Sequence, residues 1–86
     1  MKGKPNMNIN KLLERIAIDS QIQHGSPCIK GTRTPVYVIL EALSLGATAK
    51  EIKSEYPPLC DEDIKACLSF AALLAKEEEV SIPTTA

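Results

Sequence analysis

Between Gln23 and Pro35 the chain carries Gly25, Pro27, Gly31 and Pro35. No helix accommodates breakers at that density, so the stretch is restricted to short extended pieces joined by turns. It reads as a structured loop or a two-stranded ribbon, and it splits the sequence into a short amino-terminal part and a longer, helix-patterned remainder. At 86 residues the chain has room for one small domain, without a second core or a cleft between lobes. A large enzyme is excluded.

After Pro35, Val36, Ile39, Leu40 and Leu43 form an i, i+3, i+4, i+7 stripe broadened by Val38, Ala42 and Leu45, which predicts a buried helix over 36–45. Gly46 stands where a left-handed residue closes such a helix. Two residues on, Thr48 and Glu51 make the T-x-x-E pattern of a capping box. A second, shorter helix therefore opens there, runs through Ala49, Ile52 and Tyr56, and stops at Pro57-Pro58. Asp61, Glu62 and Asp63 then place negative charge at the positive end of a third helix, with Ile64, Cys67, Leu68, Ala71 and Leu74 as its apolar face. This third helix is expected to be the longest. Glu77-Glu78-Glu79 crowd its negative pole, where it should fray.

Upstream of the breakers two periods compete. Ile9, Leu12, Leu13 and Ile16 recur at helical spacing, whereas Ile16 and Ile18 alternate around Ala17 as in a strand. The expectation is a short helix passing into a short strand near 15–19. Residues 1–8, polar and broken by Gly3 and Pro5, are expected to be a flexible basic arm, and residues 80–86 a flexible tail. A single domain over 9–79 lies between them.

Composition narrows the class. With 44% apolar, 24% charged and 3% aromatic residues the chain is foldable, and its core must be aliphatic. The longest apolar run, Phe70 to Ala75, falls far short of the roughly 20 residues of a bilayer span, so neither a membrane protein nor an exported one fits. Cys28, Cys60 and Cys67 are odd in number and form no C-x-x-C pair, which argues against a disulfide framework and for a reducing cytoplasm. His24 and Cys28 are close in sequence, but a structural zinc needs four ligands. Neither an oriented nucleophile nor a phosphate-binding glycine loop is evident. No metal, no cofactor and no catalysis is the expectation.

Three consecutive helices with short connections outline a homeodomain-like, helix-turn-helix unit, mainly α with a short helix and strand region before it. The outline alone does not establish DNA binding. A recognition helix brings its first residues to base edges between phosphates, and here those residues are Asp61, Glu62 and Asp63. Charge is also unevenly divided: residues 1–40 hold six Lys and Arg against two Asp and Glu, and residues 41–86 hold four against nine. Such a division suits one face that meets anionic groups and another that repels them. Lys2, Lys4, Lys11, Arg15, Lys30, Arg33, Lys50 and Lys53 are the available cations. Lys50 and Lys53 are equally well read as the solvated side of a short helix.

The run Gly25-Ser26-Pro27-Cys28-Ile29-Lys30-Gly31-Thr32-Arg33-Thr34-Pro35-Val36 is the most specific part of the chain. It resembles the G-x-P-x-I-x-G-T-R-x-P-V signature of the domain of unknown function 433 family, described as VapB-type antitoxin-like. The resemblance continues through Val38-Ile39-Leu40, Gly46, Glu51-Ile52, Tyr56-Pro57, Leu59 and Glu62-Asp63-Ile64, covering roughly residues 15–76. It implies a homeodomain-like helical domain with a small amino-terminal strand region, a DNA-binding antitoxin role, and a PIN-like nuclease toxin as partner. Two positions depart from the pattern: Thr34 stands where the family tends to have an aliphatic residue, and Cys60 where it tends to have a Thr capping the third helix. Cys is a poor N-cap, so Asp61 or Asp63 would take over that duty and the helix would begin one residue late.

Within the loop, Gly31 permits a backbone angle that other residues resist, Thr32 can hydrogen-bond the local main chain, and Arg33 projects a planar cation. Gly25, Pro27, Gly31, Thr32 and Pro35 are thus its structural residues. Two roles for Arg33 stay open. It pairs with a carboxylate such as Asp19, Asp61 or Asp63, or with helix-end carbonyls, and holds the loop to the helices. Alternatively, with Lys30, it meets DNA phosphates or the acidic metal site of a nuclease. The expected function is that of a type II antitoxin binding a PIN-like nuclease, with its own operator DNA left open as a further ligand and Lys30, Arg33, Arg15, Lys50 and Lys53 as the DNA- or toxin-binding residues. The rivals are a protein-interaction module and a small transcription regulator without a toxin. A homodimer is expected, since helical DNA readers double their contacts and a ribbon near 15–35 offers edges for pairing.

Overall fold

The computed structural model describes residues 9–77. The arm expected over 1–8, the tail over 80–86 and the fraying beyond Glu77 lie outside the described residues. The fold is mainly helical, with one small sheet near the start. A single turn, α1 (Asn10–Leu13), leads into β1 (Ile16–Ala17), which pairs antiparallel with β2 (Cys28–Ile29). Then come α2 (Val36–Ser44), α3 (Ala49–Glu55) and α4 (Asp61–Glu77). The order and relative lengths of α2, α3 and α4 match the three-helix outline expected from the sequence.

Local chemistry sets the helix limits. Pro35, at φ −68° and ψ 144°, is the N-cap of α2, its extended backbone lying just outside the helix, where a missing N–H breaks no helical bond. At its other end Gly46 takes φ +99°. Its N–H donates to the Leu43 carbonyl at 3.0 Å, and that of Ala47 reaches back to Ala42 at 2.9 Å. These two bonds are a Schellman closure, which reverses the chain within two residues. Thr48 opens α3 with both halves of a capping box: Glu51 N–H donates to Thr48 Oγ1 at 3.1 Å and Thr48 N–H to Glu51 Oε1 at 2.8 Å. Beyond Tyr56 the two prolines end α3.

The start of α4 differs from expectation. It begins at Asp61, directly after Cys60, without a one-residue delay. The Cys60 carbonyl accepts the first helical bonds, from Asp63 N–H at 3.0 Å and Ile64 N–H at 3.3 Å. Asp63 supplies the reciprocal half of the cap, its Oδ2 accepting Cys60 N–H at 3.0 Å. The carboxylate three residues into the helix thus satisfies the Cys60 N–H, while the Asp63 N–H that a capping Thr would accept goes to the Cys60 carbonyl.

One core of aliphatic residues and a thiol joins the parts: Ile29, Val36, Ile39, Ile52, Leu59 and Ile64 with Cys67. Helix α4 is in contact with α1, β1, α2 and α3. Four residues such as α1 cannot sustain a helix alone, so its packing on α4 is what holds it. Because α4 is covered over more than one side, its buried arc is wider than the sequence stripe and turned from it. Ala66 and Ser69 are buried, whereas Leu68 and Leu74, expected inside, are 49% and 44% exposed.

Cys67 is fully enclosed. Burial, and secondarily the negative charge of Asp63, pushes its thiol from 9.0 up to about 11. The folded protein therefore keeps this proton at a pH where the unfolded chain has lost it. The associated stability is complete below about pH 9 and is lost as pH rises toward about 11. Urea midpoints measured across that window should fall more steeply for the wild type than for Cys67→Ala.

Candidate functional site

The candidate site is the turn that follows β2. Ile16 faces Ile29 and Ala17 faces Cys28 across the ribbon, and Lys30 N–H continues the pairing to the Arg15 carbonyl at 2.7 Å. The chain then reverses at Ile29–Thr32, closed by Thr32 N–H on the Ile29 carbonyl at 3.0 Å. Gly31 takes φ +82° at the third position of this turn, where an L side chain would be strained. Thr32 makes two further bonds: its hydroxyl donates to the Ile29 carbonyl at 2.7 Å and accepts Thr34 N–H at 3.0 Å. Ile29 N–H returns to the Thr34 carbonyl at 3.0 Å, and Val36 N–H to that of Pro27 at 2.9 Å. Pro35 bridges Cys28. The segment from Pro27 to Val36 is therefore a closed, internally bonded unit.

A second loop braces it. Gln23, His24 and Gly25 take φ of +51°, +56° and +84°, three left-handed residues in a row. The Gln23 side-chain amide donates to the Arg33 carbonyl at 3.1 Å. Nothing in the composition of this stretch announces that clamp, because Gln is not a residue that favours left-handed angles. His24 is exposed and Cys28 buried, and among the described residues no cluster of His, Cys, Asp and Glu could hold a metal.

The five candidate cations divide into two groups. Arg15 Nη1 meets Asp63 Oδ1 at 3.1 Å, with side chains 42% and 11% exposed, and lies 3.6 Å from Cys60 Sγ. Lys53 Nζ meets Asp61 Oδ1 at 2.8 Å on the surface. This contact, first by its hydrogen bond and then by charge, holds the Asp61 carboxyl below its ordinary range. Arg15 and Lys53 thus flank the first turn of α4 and neutralise two of its acids. Lys30, Arg33 and Lys50 are exposed. In particular Arg33 does not pair with Asp19, Asp61 or Asp63, the partners expected of a purely structural arginine. Asp61 is held by Lys53 and Asp63 by Arg15, while Asp19 Oδ1 accepts Gln21 N–H at 2.8 Å. Lys30 and Arg33 share the turn, Arg15 adjoins it through the main chain, and Lys50 and Lys53 stand apart on α3.

A family model described as "Protein of unknown function (DUF433)" matches residues 16–71. The chain belongs to the DUF433 family. The match runs from β1 into α4 and includes the whole of the closed turn. A solved structure of a DUF433 member protein from Anabaena variabilis ATCC 29413, determined at 2.00 Å, is 28% identical to this chain. Its match covers 80% of this chain and 68% of that one, with a TM-score of 0.69. No curated protein matches. Membership of DUF433 therefore carries the fold and the turn but assigns no activity. Among the described residues no helix is long and apolar enough to cross a membrane.

Two ion pairs of unequal burial predict unequal effects. Asp63→Ala removes the carboxylate half of the α4 cap, which should cost roughly 1 kcal/mol, or about 4–8 °C in Tm for a domain this size. Lys53→Gln, on an exposed pair, should move Tm by much less. Thermal melts of the two variants beside the wild type test this ordering.

Proposed function

We propose that this DUF433 chain is the antitoxin of a type II toxin–antitoxin pair and acts by docking the Lys30–Arg33 turn onto the carboxylates of a PIN-like nuclease. One observation carries the reading. Arg33 is exposed and takes no side-chain hydrogen bond or ion pair among the described residues, although its backbone is fixed on both sides by the Thr32 bonds and the Gln23 clamp. A guanidinium held at a set position and left without an internal anion is prepared for an external one. A PIN-like nuclease gathers carboxylates around a divalent cation. A guanidinium placed among them supplies positive charge without metal chemistry, so inhibition is electrostatic.

Charge placement favours a protein partner over duplex DNA. The first turn of α4 presents Asp61 and Glu62 to solvent, and the exposed positions that follow are Lys65 and the apolar Leu68. With Asp61 paired to Lys53, Glu62 is the acid left unpaired at the leading end of the helix among the described residues, and no cation of that first turn is there to meet phosphate. Lys53, on the preceding helix, is already committed to Asp61. The reading assigns the chain no catalysis of its own and places it in the cytoplasm, where Cys28, Cys60 and Cys67 remain thiols.

The proposal expects a PIN-like nuclease to be encoded beside this chain, and inhibition of that nuclease tests it. Arg33→Gln should weaken inhibition about 10- to 100-fold, the worth of one charge-assisted contact, while Tm stays within about 2 °C of wild type. Equal loss of inhibition and stability would return Arg33 to a structural role. In a salt titration of duplex binding, a log–log slope near about −3.6, as for four neutralised phosphates, would instead make the chain a DNA binder.

A further inference from the structure

The geometry points to a side-chain receptor behind the turn: a cavity that takes one aliphatic side chain of the partner, with Lys30 and Arg33 meeting a carboxylate beside it. This rests on the reading of the turn as the partner contact and specifies what the partner must present there. A cavity of about 220 Å³ lies between the turn and the preceding loop, walled by Ala17, Asp19, Ile22, Cys28, Lys30 and Gly31. Its size is ample for one side chain, since an apolar cavity of about 150 Å³ already holds benzene. Both walls are fixed. The ribbon holds Ala17 and Cys28 opposite each other, and Gln23 ties the loop to the Arg33 carbonyl at 3.1 Å. A Cβ built on Gly31 would meet nothing within 4 Å, so the turn leaves open space rather than filling it.

The chemistry of the walls selects the occupant. Ala17 and Ile22 offer hydrocarbon, and the Cys28 thiol, which donates to the Ser26 carbonyl at 3.4 Å, needs no partner from the occupant. An aliphatic group is the complement. Lys30 on the wall and Arg33 one residue past Thr32 attract an acid next to that group and repel a basic one. Asp19 is the one acid on the wall. Its Oδ1 accepts Gln21 N–H at 2.8 Å, which leaves Oδ2 for a main-chain N–H of the occupant. The segment recognised is therefore an aliphatic residue flanked by Asp or Glu.

Two blocked pentapeptides probe this on the full ¹⁵N-labelled chain at low ionic strength: Glu-Asp-Leu-Asp-Glu and the same peptide with Ala at its centre. The Leu peptide should shift the amides of residues 17–22 and 28–33 and bind about tenfold tighter than the Ala peptide, the worth of burying one such side chain. Ala17→Leu fills the cavity and should erase that preference while leaving salt-sensitive binding of both peptides. Ile22→Ala, which removes a wall without adding bulk, should also cut the preference. Arg33→Gln should weaken both peptides alike. Equal affinity of the two peptides for the wild type, or a preference that survives both wall variants, overturns the receptor and leaves the docking turn standing. Failure of both peptides to bind overturns the docking turn as well.

Discussion

The carboxylate of Asp63 is the joint on which this small domain turns. It is only 7% exposed, and an ion so placed is tolerable only when its oxygens are satisfied. Oδ1 takes the Arg15 guanidinium, and Oδ2 takes Cys60 N–H and the Cys60 thiol. The first contact ties the amino-terminal segment to the longest helix, and the others begin that helix. Because the Arg15 carbonyl also receives Lys30 N–H, the Lys30–Arg33 turn is tied to the head of α4 through this residue as well as through Ile29 and Val36 in the core. Lys at position 15 would keep the charge but lose the broad, planar set of donors that reaches both Asp63 and Cys60.

How much of this could be read from the chain depended on how far apart the interacting groups lie. Gly46, the Thr48–Glu51 pair and Pro57-Pro58 act within a few residues of themselves, and the helix limits they predict agree with those observed to within one residue. The pairing of Arg15 with Asp63 spans 48 positions, and nothing local distinguishes Arg15 from Arg33 as the arginine that would take that carboxylate. The assignment follows from topology: the ribbon brings Arg15 to the first turn of α4, while Arg33 is carried past it by the hairpin. Leu68 and Leu74 were misplaced for a related reason. Periodicity locates one stripe on a helix, but α4 has several neighbours, and the small residues Ala66 and Ser69 are enclosed instead.

The uneven charge of the two halves takes on a different meaning once the pairs are known. The basic and acidic halves do not simply form opposite faces. Arg15, from the basic half, and Lys53 neutralise acids at the head of α4, which quiets the most negative part of the helix. The residual positive charge near the ribbon is concentrated at Lys30 and Arg33. A compact pair of cations on a rigid turn suits a localised cluster of carboxylates better than the extended, regular charge of a duplex backbone.

The left-handed run at Gln23–Gly25 shows where shape has been favoured over robustness. Each non-glycine residue in that conformation costs on the order of 1–3 kcal/mol, yet only Gln23 returns something for it, through its hold on the Arg33 carbonyl. His24 contributes no comparable side-chain contact in the described structure. The domain is thus below its own thermodynamic optimum at that residue, and glycine there, or a mirror-image amino acid introduced by chemical synthesis, would relieve the strain without loosening the brace.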